Sequence, residues 1–211
     1  VEVVGFYHGY EGIVNDESRA LDSMSVGGII ERGGTILRTA RSKTFMTREG
    51  RIKAEEVLRH NGCEGLVVIG GDGSLTGALK LHEEFGFPVM GIPGSIDNDI
   101  SATAMTFGFD SAVQCVADSL DRLHTTAASH KRVMVLEVMG RYAGWIALHG
   151  GLAGSADAIL IPEIPFSYER LAAVADKRMA GGAPSTLIVV AEGARAEGQD
   201  FATLHTDRQG E

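Results

Sequence analysis

A short apolar run followed at once by a cluster of glycines is the feature that most constrains the fold. Leu66–Ile69 is entirely apolar, which is typical of a strand buried on both faces of a parallel sheet. Gly-Gly-Asp-Gly follows at 70–73, and Ser74 is expected to cap a helix that continues to about Glu84. Such a strand, turn and helix N-terminus favour phosphate binding, because backbone N–H groups and the helix dipole both attract an anion there.

The carboxylate within this turn indicates a metal ion. Asp72 would repel a phosphate directly, so its position is explained if it binds Mg²⁺ that bridges to phosphate oxygens. Gly71, Gly73 and Gly77 miss the G-x-G-x-x-G spacing by one residue, and neither a Walker A loop nor a G-x-S-x-G elbow fits. The alternative is a glycine turn with a helix cap and no ligand.

A second loop strengthens the case for phosphate chemistry. Phe87–Ile92 is predicted to be another short buried strand, and Pro93–Asp99 follows it with the sequence Pro-Gly-Ser-Ile-Asp-Asn-Asp. Ligands bind at the carboxyl ends of parallel strands, so we expect Asp72 to lie near Asp97 and Asp99. Three carboxylates without a lysine in these loops favour metal-assisted phosphoryl transfer, with one carboxylate as the base. A pair of Asx-turns would explain Asp97 or Asp99 singly, but not their coincidence with Asp72.

Composition argues against several classes of partner. The net charge is −9 and no cluster of five or more Lys and Arg occurs, which argues against binding to nucleic acids or acidic membranes. Cys63 and Cys115 lack C-x-x-C spacing and are predicted to be reduced core thiols of a cytoplasmic protein. The seven histidines form no zinc motif, and the chain contains no signal peptide or long apolar span.

Strands alternate with helices along the chain, which predicts an α/β fold with parallel sheets and right-handed crossovers. The expected strands are 1–6, 66–69, 88–92, 133–138, 158–161 and 186–190. The expected helices are 25–32, with Ser25 as cap, 48–61, 74–84, 111–127, 143–152 and 168–179. A glycine- and tyrosine-containing loop is expected up to Asn15, and a hinge at Phe107–Phe109.

Taken together, these motifs resemble those of the 6-phosphofructokinase family. Residues 70–74 resemble its nucleotide loop and residues 93–99 its catalytic loop. The further matches are Ser-Val at 25–26, Arg-Gly-Gly-Thr at 32–35, Ala-Arg at 40–41, Ser-His-Lys-Arg at 129–132 and Glu-Val-Met-Gly-Arg at 137–141. The resemblance implies two Rossmann-like parallel-sheet domains: a partial ATP-binding domain at 1–108 and an incomplete fructose 6-phosphate domain at 109–211. NAD kinases and lipid kinases carry a similar Gly-Gly-Asp-Gly loop and are an alternative.

The resemblance also implies a reaction and its residues. ATP would donate its γ-phosphoryl group to the 1-hydroxyl of fructose 6-phosphate in glycolysis, with Mg²⁺ on Asp72. Asp97 would be the general base, Asp99 would lie near the metal and the transferred group, and Arg141 would neutralise transition-state charge. Ser95 takes the place of a Thr or Ser that hydrogen-bonds the phosphoryl group. The implied nucleotide contacts, besides Asp72, are Arg41, Gly71, Gly73 and Ser74.

The same resemblance assigns the sugar phosphate to Met139, Gly140, Arg141 and Glu192, together with Ser95 and Asp97. Arg132 matches an arginine that reaches the sugar phosphate of a neighbouring subunit, which implies a homo-oligomer, commonly a tetramer. Without the family, Arg41 and Arg132 are equally explained as surface arginines, Met139 as core filler and Glu192 as a solvated loop carboxylate.

Single positions in the sequence indicate the phosphoryl donor and argue against a nucleotide effector. Pyrophosphate-dependent members often carry Asp after Gly-Gly-Asp and Lys after the Pro of the catalytic loop. Gly73 and Gly94 stand there in this chain, which favours ATP, with pyrophosphate as the alternative. Asp157 resembles a position near an effector-bound metal, but His124 and the uncharged Gly181–Ser185 replace the expected basic residues, which argues against a nucleotide effector.

Both ends of the sequence look incomplete by comparison with the family. The family's first strand and the glycine turn that follows it are absent from this sequence. The family's later Arg and His residues that bind the sugar phosphate are also absent. The chain is therefore expected to be a fragment that is inactive by itself. A non-catalytic sugar-phosphate-binding module is the remaining alternative.

Overall fold

The structure, a computed structural model, describes residues 1–199. It divides into two compact units, Val1–Ile92 and Pro93–Glu211. None of the helices within the described residues is long and apolar enough to cross a membrane. Cys63 and Cys115 are free thiols, as predicted, but Cys115 is exposed and not in the core.

The first unit begins with a hairpin and continues with strand–helix units. Its elements are β1 (Val3–Phe6), α1 (Gly9–Val14), β2 (Ser18–Leu21), α2 (Arg48–His60), β3 (Leu66–Gly70) and α3 (Asp72–Phe85). Strand β4 (Val89–Ser95) starts in this unit and lies beside β3 in the sheet. The core contains Phe6, Ile13, Val14, Phe45, Ala54, Leu58, Leu81 and Phe87.

The start of the chain differs from the prediction in two ways. The segment expected to be a loop up to Asn15 contains α1, because Ile13 and Val14 are buried in the core and tertiary packing overrides the weak helix propensity of glycine. The first strand pairs antiparallel with β2, which was not predicted, so the parallel pattern does not extend to this hairpin.

The helix expected over 25–32 does not form. Residues between Asp22 and Thr47 adopt turns and irregular structure. Asp22 Oδ1 accepts hydrogen bonds from the backbone N–H of Ser25 at 2.8 Å and from its hydroxyl at 2.7 Å. The side chain of Ser25 is thus tied back to Asp22 in a local turn, an arrangement that competes with helix capping.

The second unit is built on a parallel sheet. Its elements are β5 (Phe107–Gly108), α4 (Phe109–His130), β6 (Val133–Val138), α5 (Trp145–Ala153), β7 (Ala158–Leu160), α6 (Tyr168–Ala180) and β8 (Thr186–Ala191). The strand order is β6–β8–β7, and both pairings are parallel, with Val138 opposite Ala191. Strand β8 is the most buried strand, and the core is formed by Phe109, Val116, Leu120, Ala127, Val138, Ile146, Ala147, Leu187, Val189 and Ala191.

The prediction that Leu66–Ile69 and Phe87–Ile92 are buried strands is wrong for one face of β3 and for part of β4. Val67 and Ile69 of β3 are 60% and 69% exposed, and Met90 of β4 is 63% exposed. Burial alternates along β3 because one face is covered and the other is not. An apolar run alone does not reveal what covers each face of a strand.

The chain divides into the two compact units between Ile92 and Pro93, whereas the sequence predicted a domain boundary at a hinge near Gly108, which stays a prediction. The last residues of β4 pair parallel with β5, Gly94 opposite Phe107 and Ser95 opposite Gly108. Gly108 then directly precedes α4 as its N-cap. The loop with Asp97 and Asp99 is therefore anchored to the second unit, and the assignment of each unit to a ligand stays a prediction.

Candidate active site

The Gly-Gly-Asp-Gly loop forms the turn from β3 into α3, as predicted, but its helix cap is different. Gly71 occupies the N-cap position in an extended conformation, so the helix begins at Asp72 and Ser74 lies within its first turn. A Cβ on Gly70 would lie 2.7 Å from the Ser74 Cβ, which explains the requirement for glycine there. The first N–H groups of α3 therefore belong to the turn itself, as a phosphate site requires.

Tyr10 supports this turn from below and was not identified from the sequence. Its hydroxyl donates to the Ser74 carbonyl oxygen at 2.5 Å, and its ring stacks on Phe45 with centroids 3.9 Å apart. Burial raises the pKa of Tyr10 to about 12, so the hydroxyl stays a neutral donor. A Cβ on Gly77 would lie 2.9 Å from the Tyr10 ring, so Gly77 serves this packing.

Residues suited to an anionic ligand and a metal ion are accessible on this loop. Asp72 and Gly73 are exposed, and a Cβ on Gly73 would meet no atom within 4 Å. One exposed carboxylate beside open space fits Mg²⁺, which is usually held by one or two carboxylates together with phosphate oxygens. Among residues 1–199, no three His, Cys, Asp or Glu side chains gather into a metal cluster. Arg41 is also exposed, in the irregular segment before α2.

The second loop follows β4 and contains the paired aspartates. The Ser95 hydroxyl accepts a hydrogen bond from the Asp97 backbone N–H at 3.2 Å. Burial raises the pKa of Asp97, and the negative charges of Asp99 and Glu192 raise it further. Asp97, Asp99 and Glu192 therefore lie close enough to interact, which the sequence separation of Glu192 did not reveal. The predicted approach of Asp72 to these aspartates stays a prediction.

A perturbed carboxylate in a loop at a strand end is the arrangement expected of a general base. A raised pKa makes Asp97 a better proton acceptor than an ordinary carboxylate. Clusters of charged residues without a catalytic role also shift pKa values. The interpretation of Asp97 as a general base therefore depends on its position in a loop at a strand end as much as on its raised pKa.

Two further loops meet at the carboxyl edge of the β6–β8 pair. Met139, Gly140 and Arg141 directly follow β6, and Glu192 follows β8. The Glu192 N–H donates to the Val138 carbonyl oxygen at 2.9 Å. Met139 is 57% exposed, which excludes the core-filler interpretation, and Arg141 is exposed with its guanidinium 5.3 Å from the Tyr142 ring centroid. This edge therefore presents apolar, cationic and anionic side chains together.

Glycine backbone makes this close approach possible. Gly140 adopts φ +141°, and a Cβ there would lie 2.7 Å from the Ala143 carbonyl oxygen. The Gly193 N–H donates to the Gly140 carbonyl oxygen at 3.1 Å. A Cβ on Gly193 would lie 2.7 Å from the Arg141 carbonyl carbon and still closer to its oxygen. Gly193 was not identified from the sequence, although a glycine one residue after a strand-end carboxylate is a recognisable signal.

Arg132 lies away from the other sugar-phosphate candidates. It precedes β6, whereas Arg141 follows the carboxyl end of that strand. A six-residue strand separates the two positions by roughly 20 Å. Within one chain, Arg132 and Arg141 therefore lie at opposite edges of the sheet.

The effector-like position is engaged within the chain. Asp157 Oδ1 lies 2.8 Å from Arg178 Nη1, and Asp157 Oδ2 accepts from the Leu187 N–H at 2.8 Å. His124 Nε2 lies 3.0 Å from the Gly154 carbonyl oxygen. Both oxygens of Asp157 thus have partners in the protein, one of them the basic Arg178, and the absence of a nucleotide effector stays a prediction.

This chain is similar to known phosphofructokinases over almost its whole length. Residues 1–210 match the family described as Phosphofructokinase. The ATP-dependent 6-phosphofructokinase of Chloroflexus aggregans is 51% identical over 206 residues, 93% of this chain and 58% of that protein. The ATP-dependent 6-phosphofructokinase 1 of Thermus thermophilus is 52% identical over 194 residues, 92% of this chain and 60% of that protein. The chain thus spans 58–60% of the length of these two relatives.

Solved structures show the same fold. Phosphofructokinase from Saccharomyces cerevisiae superposes with a TM-score of 0.84 at 37% identity, covering 92% of this chain and 30% of that one. Pyrophosphate-dependent phosphofructokinase from Marinobacter aquaeolei gives 0.82 at 29% identity, covering 93% and 53%. These likenesses confirm the predicted α/β, phosphofructokinase-like fold, and the family match, which includes both loops, decides against an NAD or lipid kinase. The chain belongs to the phosphofructokinase family.

Proposed function

We propose that this chain is part of an ATP-dependent 6-phosphofructokinase, which transfers the γ-phosphoryl group of MgATP to the 1-hydroxyl of fructose 6-phosphate. The observation that carries the proposal is Asp97: a partly buried carboxylate with a raised pKa, at a strand end, in a chain of this family. The names of relatives at 51% and 52% identity support the same reaction and donor.

In this proposal the second unit supplies the groups around the sugar. Asp97 accepts the proton of the 1-hydroxyl as its oxygen attacks, and Arg141 offsets the charge that develops on the transferred group. Ser95 Oγ, which accepts a hydrogen bond from the Asp97 N–H, keeps its own proton for a phosphoryl oxygen. The negative charge of Asp99 increases the basicity of Asp97. Met139, Gly140 and Glu192 line the sugar.

The first unit supplies the nucleotide site. The N-terminal N–H groups of α3, with Gly71, Gly73 and Ser74, face the phosphates, and Arg41 neutralises their charge. Asp72 would hold Mg²⁺, which when bound shields phosphate charge and makes the phosphorus more electrophilic.

Arg132 is assigned to the sugar phosphate bound by a neighbouring subunit. Its position at the opposite edge of the sheet from Arg141 supports this, because one ligand cannot span about 20 Å between them. The protein is accordingly proposed to be a homo-oligomer, commonly a tetramer in this family, located in the cytoplasm.

The choice of donor gives a testable consequence. Gly73→Asp combined with Gly94→Lys should lower kcat/KM for ATP much more than for pyrophosphate. The space around Gly73 is open, and a carboxylate placed there would crowd and repel the α-phosphate of a nucleotide. Steady-state kinetics with both donors measures the effect.

The solved pyrophosphate-dependent relatives make pyrophosphate the alternative donor. Gly73→Ala is the control, since a methyl group adds little bulk and no charge. If the double variant retains the wild-type preference for ATP, the donor is selected by other residues.

The electrostatic surroundings of Asp97 predict a pH dependence. A general base must be ionised, so kcat/KM should fall as pH decreases through the pKa of Asp97, which lies above that of an ordinary carboxyl. Glu192→Gln removes one of the charges that raise this pKa, so the acid limb should move to lower pH. The kcat/KM for fructose 6-phosphate, measured across pH at saturating ATP, reports this limb for the enzyme with its sugar site free.

Glu197→Gln makes the same charge change in the same unit at a residue that does not raise the pKa of Asp97. Its profile should match that of the wild type. An acid limb that stays in place, or moves upward, in Glu192→Gln would contradict the assignment of Asp97 as the base.

The direct test is an assay of fructose 1,6-bisphosphate formation by the full-length protein. Turnover with ATP and Mg²⁺ on the order of 10 s⁻¹, a typical enzyme rate, is expected. Turnover with pyrophosphate but not with ATP would show that pyrophosphate is the phosphoryl donor. Binding of fructose 6-phosphate without turnover by either donor would show the non-catalytic alternative to be correct.

A further inference from the structure

Asn98 stands between the two candidate acidic residues in a conformation that few side chains tolerate. Its φ is +55°, in the left-handed region, where asparagine is enriched among the residues that have a Cβ. This turn separates Asp97 from Asp99 within the loop after β4. The backbone at Asn98 therefore determines the directions in which the two neighbouring carboxylates leave the chain.

The side chain of Asn98 reaches across the loop. Its Oδ1 accepts a hydrogen bond from the Thr106 backbone N–H at 2.9 Å. Thr106 is only 3% exposed, so its N–H has little access to water. A buried N–H without a partner is costly, which makes the Asn98 carbonyl a specific requirement of this loop.

The contact joins the middle of the loop to a rigid base. Thr106 directly precedes β5, whose two residues pair with Gly94 and Ser95 at the end of β4. A Cβ on Gly108 would lie 3.1 Å from Ile96 Cγ2, so the start of the loop packs closely on the end of β5. The loop is thus held at both ends by the sheet and at its centre by Asn98.

We propose that Asn98 is a positioning residue for Asp97 and Asp99: its hydrogen bond to the Thr106 N–H holds both carboxylates in the geometry needed for proton removal and phosphoryl transfer. Asn98 acts through its neighbours and need not touch either substrate. The inference rests on the proposed phosphofructokinase activity. It differs from a general contribution to folding, which would lower stability without a selective effect on the chemical step.

Asn98→Gly tests the hydrogen bond alone. Glycine keeps the left-handed backbone but lacks the acceptor, so the loop can still turn while the anchor is lost. In the full-length protein we expect kcat to fall about 10²-fold, the effect of displacing a catalytic group by about 1 Å. The KM values for ATP and fructose 6-phosphate should stay within about threefold, because an interaction that acts in the transition state is removed.

Asn98→Asp is the rescue variant. Aspartate tolerates the same backbone and supplies an acceptor oxygen to the Thr106 N–H, so kcat should recover at least about tenfold over Asn98→Gly, because the displacement is corrected. Thr103→Val is the matched control, since it removes a different side-chain hydrogen bond of this loop, from Thr103 Oγ1 to the Met105 carbonyl oxygen. Its kcat should equal that of the wild type.

Amide hydrogen exchange at Thr106 gives a readout that does not depend on activity. Protection should be lost in Asn98→Gly and regained in Asn98→Asp. A kcat of Asn98→Gly within about threefold of the wild type, well short of the expected loss, would overturn the positioning role. Restored protection without restored kcat in Asn98→Asp would do the same, provided that kcat is taken from the alkaline plateau of its pH profile, where the added carboxylate does not change the ionisation of Asp97.

The same experiments separate this inference from the proposed function. A wild-type protein that phosphorylates no fructose 6-phosphate with ATP or pyrophosphate overturns the proposed function, and the role in catalysis falls with it. Thr106 exchange then decides the anchor itself: equal protection in the wild type and Asn98→Gly would show that Asn98 does not hold the loop.

Discussion

Asp97→Asn is expected to lower kcat by about 10²–10⁴-fold, the usual contribution of a positioned general base, while the protein still folds and binds both substrates. The amide has the size and shape of the carboxylate but cannot accept the proton of the 1-hydroxyl. KM values should change little, because the lost interaction forms during proton transfer. A coupled assay of fructose 1,6-bisphosphate formation measures the loss.

The same substitution should not destabilise the fold at neutral pH. The pKa of Asp97 is raised in the folded protein, so above that pKa the ionised carboxylate opposes folding, and a neutral amide removes this unfavourable charge. Thermal unfolding at pH 7 should therefore give a Tm equal to or above that of the wild type. An inactive variant with an unchanged or higher Tm is a loss of chemistry and not of structure.

Asp121→Asn is the control for the loss of a carboxylate. Asp121 is exposed on α4 in the same unit and does not contribute to the pKa of Asp97. Its activity should match the wild type. If the kcat of Asp97→Asn stays within about threefold of the wild-type value, far above the expected residual activity, another group removes the proton.

The sequence alone was sufficient to predict those parts of the candidate site where chemistry requires particular residues at a strand end. The Gly-Gly-Asp-Gly turn, the loop with Asp97 and Asp99 and the exposed Arg141 all occupy strand ends, as the alternation of strands and helices predicted. These positions are readable because glycine, aspartate and arginine have few other reasons to occur together after an apolar run.

Features that depend on tertiary contacts could not be predicted from the sequence. Nothing in the local sequence shows that Tyr10 supports the Ser74 carbonyl 64 residues later, or that Glu192 lies close enough to affect Asp97. The helix α1 forms at a glycine-containing segment because its apolar residues are buried, against local propensity. Position in space, and not residue type, decides each of these cases.

The capping residues show how one competing interaction changes a local prediction. Ser74 and Ser25 both have the chemistry of a helix N-cap. Gly71 takes the cap position of α3 because its extended backbone lets the helix begin earlier, and Ser25 is held in a turn by Asp22. Candidate caps are common in sequence, and backbone geometry selects among them.

The largest effect away from the carboxylates is expected at Gly193, whose backbone contacts the loop with Arg141. In Gly193→Ala the new Cβ would lie 2.7 Å from the Arg141 carbonyl carbon and closer still to its oxygen. Both are backbone atoms, so no side-chain rotation relieves the overlap. One of the two loops must shift, and the hydrogen bond from the Gly193 N–H to the Gly140 carbonyl oxygen is lost with it.

Such a shift should affect stability and activity together. Overpacking typically costs about 1–3 kcal/mol of unfolding free energy, and a displacement near 1 Å of Arg141 should reduce kcat/KM by about 10²-fold. Gly181→Ala is the matched control, because its Cβ would lie 3.4 Å from the nearest atom at an ordinary backbone φ of −78°. Chemical denaturation and steady-state kinetics on both variants, measured well below their Tm, provide the comparison. Wild-type kinetics in Gly193→Ala would show that the two loops can separate without moving Arg141, and that the close approach of their backbones serves packing alone.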